Sequence, residues 1–405
     1  TSNSGYMFIG QIGFTYVYGL QSVWLMFGLI FGDFISSLFV HKNLRKKSQE
    51  LKVVSFANLV SKWHGANYKY VQLFGGFIIL IFLSTYAAAQ LNAGSKSMHI
   101  LFGLDYRLGA IIGGIIVLLY CFSGGIRASI WTDAAQSLVM IIAMFLMVFF
   151  GIKELGGFSN FINELHKISP DYMKWFPSTN FSEFLLAPYM FIIGWFFSGV
   201  GVIGQPHVMV RFMTIDSTKN IPKTRIYYYT WYTLFYLFSI LAAFVARLLI
   251  PETNNMDPEL ALPTLAQSLL PEFFVGVILA GIFAATMSTA DSQILACTAS
   301  ITNDLSLNKN NNYLINKLAT LIITVFVVTI AINDNKNVFN LVLMSWSTLA
   351  CCFSPLLIIN SLKQKVSEIS SLMMMIIPLI TLIVWRHYEL NTYIYEVAPG
   401  IMSGI

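Results

Sequence analysis

Charge is what this 405-residue sequence has least of: only 11% of its residues are Asp, Glu, Lys or Arg, against about 25% in a soluble domain. That shortage excludes an ordinary water-soluble globule. Apolar residues make up 56% of the chain and the mean hydropathy is +0.69, so the sequence reads as an integral membrane protein. Catalytic signatures are also missing. There is no Gly-x-Ser-x-Gly, no His-Glu-x-x-His and no phosphate-binding loop, and the six histidines are scattered without ligand spacing. We therefore expect neither an enzyme nor an organic cofactor. Cysteine is rare too: Cys121, Cys297, Cys351 and Cys352 all fall in apolar runs without a paired motif, and they read as small core residues. No segment alternates as a barrel strand would, so the expected fold is all-α.

What is present is a series of long apolar runs, and about 20 apolar residues suffice to cross a bilayer as a helix. They lie near 1–18, 20–41, 70–97, 108–124, 131–152, 182–205, 227–250, 272–302, 313–332, 337–361, 368–386 and 394–405. Ten of these are full-length and the first and last are cut. The chain starts at Thr1 and stops at Ile405 within apolar sequence, so it is expected to be part of something longer. Connections are short, and a single membrane domain over 1–405 is expected.

Sixteen of the 24 Lys and Arg residues fall in loops on one face, from Lys42 and Arg45 through Arg211 and Arg225 to Lys365. By the positive-inside tendency that face is cytoplasmic. The net charge of +5 is thus a topology signal, and no nucleic-acid partner is read from it.

Residues 284–292, AATMSTADS, are anomalously polar for a spanning segment. At about 100° per residue Ala285, Ser288, Thr289 and Ser292 form one stripe, with Gly281 a turn earlier. Such a stripe serves either helix packing or a small hard cation, which takes several uncharged oxygens. A cation site would need a second, broken helix. Two runs look breakable: the first, TSNSGYMFIGQIG, and the sixth, SGVGVIGQPH, with Gly199, Gly201, Gly204 and Pro206. Interruptions at matching places in two halves point to an inverted-repeat transporter with a midplane site.

SNSG at 2–5, Gly124-Gly125 followed by Trp131-Thr132-Asp133 and Gln136, GQPH with RFM at 204–213, AATMST at 284–289, ITNDL at 301–305 and YEVAPG at 395–400 resemble the solute:sodium symporters. The similarity is strongest to bacterial sodium/proline symporters and runs along nearly the whole chain. It implies a LeuT-type core of two inverted five-helix repeats, about 1–155 and 180–361, with extra helices at 368–405. It also implies sodium-coupled uptake of a small organic solute by alternating access, in a bacterial inner membrane. Carried over by position, the main sodium site would be Asn3, Ala285, Ser288 and Thr289, with one more carbonyl from the residue preceding Thr1. A second sodium in some relatives would map to Asp133, Ser288 and Ser292, with Asp291 standing where those relatives have a hydroxyl. Sodium is the only metal expected, as coupling ion.

The solute pocket implied by the resemblance comprises Ser4, Gly5, Gln11, Tyr120, Ser198, Val202, Gln205 and Pro206. An aromatic pair that lines proline in the family falls here on Ser198 and Val202, and Trp195 stands three residues too early to replace it. The solute is therefore expected to be an amino acid such as proline or a small carboxylate. Two other readings stay open: a membrane input domain of a sensor protein, and a non-transporting remnant. The partners expected are solute, sodium and lipid; the oligomeric state and the choice of sodium over protons are not fixed by the sequence. Asp33, within LIFGDFISS, is an intramembrane charge for which a pairing with Arg247 or a water-filled vestibule is conceivable.

Overall fold

A computed structural model describes residues 4–176, 187–250, 256–305, 312–333 and 337–405. Every regular element among them is helical, as apolar runs in lipid require, because a helix satisfies its own backbone groups. In chain order these are α1 (Gln11–Tyr18), α2 (Val23–Leu51), α3 (Phe56–Lys62), α4 (Lys69–Phe102), α5 (Tyr106–Glu154), α6 (Phe158–Ile168), α7 (Ala187–Val200), α8 (Pro206–Met213), α9 (Ile221–Leu249), α10 (Ala261–Leu269), α11 (Glu272–Ala299), α12 (Tyr313–Asn333), α13 (Val338–Ser361), α14 (Glu368–His387) and α15 (Val397–Ser403). Among the described residues, eight segments are long and apolar enough to cross a membrane, or nine with the bent pair Pro188–Gly204 and Pro206–Met213 counted as one.

Glycine divides the longest of these. Gly19 has φ +70° and Gly125 has φ +58°, a region that costs glycine little and other residues more. The first separates Tyr6–Tyr18 from α2, and the second bends α5 into two rods. Both breaks fall where the sequence separates its apolar runs. Three short helices lie in connections that a count of spans passes over: α3, α6 and α10.

Packing of α2 on α7 rests on missing side chains. A Cβ at Gly32 would lie 2.0 Å from the Phe196 carbonyl oxygen, and one at Gly199 would lie 2.4 Å from that of Leu29. Backbone cannot retreat as a flexible side chain can. Gly32→Ala is therefore expected to cost about 1–3 kcal/mol, read as a lower melting temperature in detergent against a Gly276→Ala control, where a Cβ meets nothing within 4 Å.

The two ends of the bundle differ. On the Lys/Arg-poor face, Glu259 is buried and accepts from Lys96 Nζ at 2.6 Å and from the Val338 and Phe339 backbone N–H groups at 2.9 and 2.7 Å. The segment before α10 is thereby pinned to α4 and to the first turn of α13, whose N-terminal dipole favours the carboxylate. Phe339 then stacks on Tyr6 and Phe14 with ring centroids 5.5 and 5.2 Å apart. On the Lys/Arg-rich face two cavities of about 570 and 400 Å³ enter the bundle. Their outer walls include loop residues Thr214 and Ile215 for the first and Val54 for the second. Both of these cavities open towards the Lys/Arg-rich face, whereas the Glu259 cluster ties helices together at the other.

Candidate functional site

The bend of the sixth run organises the site. α7 tightens into a 3-10 turn at Gly201–Gly204, Gln205 is extended at φ −93° and ψ 103°, and α8 leaves at 54°. Pro206 suits the first position of α8, where its missing N–H costs nothing. A Cβ at Gly204 would lie 2.6 Å from Ser354 Oγ and 2.9 Å from the Leu349 carbonyl, so only glycine lets the turn sit against α13. The first run opens with a π-helical turn, Tyr6–Gly10, in place of a regular start.

Between these irregular turns lies a central chamber of about 30 Å³, room for little more than a water or two. Its walls include Tyr6, Tyr86, Trp195, Ser198, Tyr232 and Trp346. Trp195 and Ser198 are three residues apart on one helix and face the chamber together, so Trp195 reaches it without the register shift that comparison by position demands. Trp346 donates from Nε1 to the Ser198 carbonyl at 3.3 Å, and its own carbonyl accepts from Gln205 Nε2 at 3.0 Å. Buried polar atoms without a partner occur in its wall at Ser198 Oγ and next to it at Gln205 Oε1 and Gln90 Nε2, whose side chains bond the Trp346 carbonyl and the Gly5 N–H. Its walls have the chemistry of a small-solute site, apolar with a few convergent polar groups, and the chamber must widen from this conformation to admit one.

The expected solute residues divide accordingly. Ser4 is buried and its Oγ accepts from the Tyr6 backbone N–H at 3.1 Å, while the Gly5 N–H donates to Gln90 Oε1 at 2.8 Å. Gln11 is buried and accepts from the hydroxyls of Tyr6 and Tyr236 at 3.1 and 2.9 Å. Val202 and Gln205 are buried in the bend, and Pro206 lines the 400 Å³ cavity. The structure does not bring Tyr120 to this group: it is 40% exposed on α5 and lines none of these cavities. Tyr6, Tyr232 and Trp346 went unmarked in the sequence, because an aromatic in an apolar run carries no sign of which face it presents.

The hydroxyl stripe of α11 sits against α5. Ala285, Ser288, Thr289 and Ser292 are all buried. Thr289 Oγ1 donates to the Ala285 carbonyl at 3.0 Å, and Ser288 Oγ donates to Asp133 Oδ1. Both hydroxyls act as donors here, and a hydroxyl oxygen is also the kind of neutral ligand a hard cation takes. Phe8 lies 3.6 Å from where a Gly281 Cβ would be, and Thr286 Cγ2 lies 2.7 Å from that of Gly5, so the first run and α11 are neighbours along this stripe. Asn3 lies outside the described residues.

Two of the three candidates for a second sodium, Asp133 and Ser292, meet on a guanidinium, and Ser288 joins them through Asp133. Arg211 of α8 donates to Asp133 Oδ2 at 2.6 Å, Ser129 Oγ at 3.1 Å and Ser292 Oγ at 2.5 Å. Asp291 joins from the edge of the stripe, accepting from Ser129 at 3.2 Å and Ser292 at 2.8 Å. One cation supplied by the chain thus ties α5, α8 and α11 together. Nothing in the sequence links Arg211 to Asp133, which are 78 positions apart on different helices.

Arg247 does not meet Asp33. Its guanidinium lies over the rings of Tyr16 and Tyr172, 5.1 and 5.8 Å from their centroids. Asp304 is a tie between helices, accepting from Ser55 Oγ at 2.5 Å and Ser300 Oγ at 3.0 Å.

With this geometry in place, comparison with known proteins is informative. Residues 1–378 match the sodium:solute symporter family. The high-affinity proline transporter PutP of Bacillus subtilis is 27% identical over 99% of this chain and 85% of its own. Sodium/proline symporter 2 of Staphylococcus saprophyticus is 28% identical over 99% of this chain and 81% of its own. A sodium-coupled sialic acid symporter, solved in a substrate-bound outward-open state, superposes with a TM-score of 0.81 at 17% identity, covering 100% of this chain and 85% of that one. A nucleobase-cation-symport-1 family transporter in a closed conformation follows at 0.62 and 13%, covering 100% and 87%.

Proposed function

The chain belongs to the sodium:solute symporter family, and from that premise we propose that it imports proline, or an amino or carboxylic acid of similar size, together with sodium by alternating access. It is a carrier with the LeuT-type fold and no chemical step of its own. The Lys/Arg-rich face lies in the cytoplasm of a bacterial inner membrane, which makes this conformation the inward-facing one. The two repeats span about 1–155 and 180–361.

The observation that carries this reading is the chamber at the bend of α7 and α8, with unpartnered Ser198, Gln205 and Gln90 atoms behind aromatic walls. The hydroxyl stripe of α11 supports sodium: Ala285, Ser288 and Thr289 offer neutral oxygens, and Asn3 with the residue before Thr1 would complete the set. The proline reading is supported by relatives that bear that name, and by Trp195 and Trp346 as apolar walls for a ring. One sodium crossing 100 mV contributes about 2.3 kcal/mol, enough for roughly forty-fold accumulation of a neutral solute.

Scintillation-proximity binding of labelled proline to the purified protein, in sodium chloride against choline chloride, tests this. Saturable binding in sodium alone is expected, with other small amino and carboxylic acids as competitors. Equal binding in both salts would remove sodium from the account.

A further inference from the structure

Among the described residues, buried or largely buried carboxylates are well partnered, with one exception. Glu259 has Lys96 and two backbone N–H groups, Asp133 has Arg211 and Ser288, Asp291 has Ser129 and Ser292, Asp304 has Ser55 and Ser300, and Glu396 has Arg386 and Ser347. Asp33 of α2 is fully buried, and neither carboxyl oxygen has a partner at good hydrogen-bond geometry, the Tyr228 and Tyr229 hydroxyls being close enough only for a weaker contact. An ionised carboxylate left so in a low-dielectric interior costs several kcal/mol. A neutral carboxylic acid avoids that cost.

The surroundings are suited to a group that changes charge. The polar groups acting on Asp33 come from α9: the Tyr228 and Tyr229 hydroxyls and the Arg225 guanidinium. Arg225 Nη2 donates to the carbonyl of Ser37, one turn along α2 from Asp33, at 2.9 Å, while its buried Nε and the Tyr229 hydroxyl have no partner. A donor and a cation are thus within about one helical turn of the acid. His41, two turns further along α2, is buried with both ring nitrogens unpartnered and its ring on Phe212 at 3.7 Å. α8 brings His207 and Arg211 to the neighbourhood of α2, the latter held by Asp133. α7 and α13, which also pack on α2, carry no charged side chain.

Position connects the acid to transport. Leu29, one turn before Asp33 on α2, and Tyr232, one turn beyond Tyr228 on α9, both line the central chamber, and Tyr228 lines the 570 Å³ cavity. Any change in how α2 meets α9 moves two walls of the chamber.

We propose that Asp33 is a proton-binding site on the conformational cycle, protonated in the inward-facing form and ionised in the outward-facing one. On leaving the inward-facing form the carboxyl gives its proton to water at the α2–α9 contact, and the carboxylate takes up the Tyr229 hydroxyl and the Arg225 guanidinium. Sodium and solute affinities then become linked to pH through the populations of the two conformations. The proposal rests on alternating access as read above and is independent of sodium.

The test is a labelling rate in membrane vesicles without sodium or solute. Met140→Cys places a thiol deep in the 570 Å³ cavity, and Lys46→Cys, at a side chain 69% exposed, corrects for thiol ionisation. The corrected rate of modification by a maleimide from the Lys/Arg-rich face is expected to rise about tenfold from pH 8.5 to 5.5, as when one conformation binds a proton ten times more tightly than the other. Asp33→Asn should flatten the profile at its acidic plateau, Tyr229→Phe should move its midpoint, and His41→Gln should leave it unchanged. A flat parental profile, or an Asp33→Asn variant that keeps the parental profile, overturns the proposal. If Asp33→Asn does not fold, an unmoved midpoint in Tyr229→Phe overturns it.

Discussion

Thr289→Ala is expected to raise the sodium concentration needed for half-maximal proline binding by roughly 10- to 150-fold, while Thr289→Ser stays near the parental value. The argument is one of lone pairs. Thr289 Oγ1 donates its proton to the Ala285 carbonyl, so towards a cation it can act only through its oxygen, and removing an oxygen from a charged partner costs about 1.5–3 kcal/mol. Serine keeps that oxygen and loses only a methyl group. Ser288→Ala should behave like Thr289→Ala, with the added loss of a donor to Asp133. Sodium titrations of proline binding decide the matter. Unchanged sodium dependence in both alanine variants would make the stripe a packing surface, the bland alternative that its sequence allows.

The second large effect concerns the charge cluster beside that stripe. Asp133→Asn leaves Arg211 largely buried without its carboxylate, and breaking such a pair costs about 3–5 kcal/mol. We expect transport to be lost and the melting temperature to fall. Arg211→Gln should also impair the protein but with a different signature, since it frees Asp133, Ser288 and Ser292 for an external cation. Its melting temperature should rise with sodium chloride more steeply than the parent's, with potassium chloride as control. The double variant Asp133→Asn/Arg211→Gln removes both charges and should recover most of the stability lost by either alone. Losses that simply add would show that the two residues do not act as a pair.

These two clusters mark where the sequence was readable and where it was not. The break at Gly199–Pro206 was legible because glycine and proline state a backbone requirement directly, whereas those at Gly19 and Gly125 showed only as gaps between apolar runs. The stripe at Ala285, Ser288, Thr289 and Ser292 was legible because helical periodicity puts its members on one face. Arg211 was not, since its meeting with Asp133 depends on the 54° bend between α7 and α8, an angle no local pattern encodes. Trp195 was discounted by position against relatives, yet it enters the chamber because it lies one turn from Ser198. Tyr120 was included on the same positional grounds, and its helix turns it outward. The short helices α3, α6 and α10 escaped because a search for spans long enough to cross a bilayer passes over helices of 7, 11 and 9 residues.

The same limit applies to Asp33. Its place in an apolar run flagged it as costly, and Arg247 was the intraspan cation named as a conceivable partner. In the fold Arg247 sits on aromatic rings, and Arg225 is the cation nearby, donating to the Ser37 carbonyl one turn along α2 from Asp33. Sequence names the charges inside a membrane, but only packing tells which of them meet.

Sodium-driven accumulation measures the central claim most directly. Proteoliposomes holding the purified protein are loaded with potassium buffer and diluted into labelled proline with sodium outside, at equal pH and zero potential. The account predicts transient accumulation above the external concentration, abolished when choline replaces sodium and in Thr289→Ala at the same sodium concentration. Accumulation that persists in choline, or follows an imposed proton gradient with no sodium present, would contradict it.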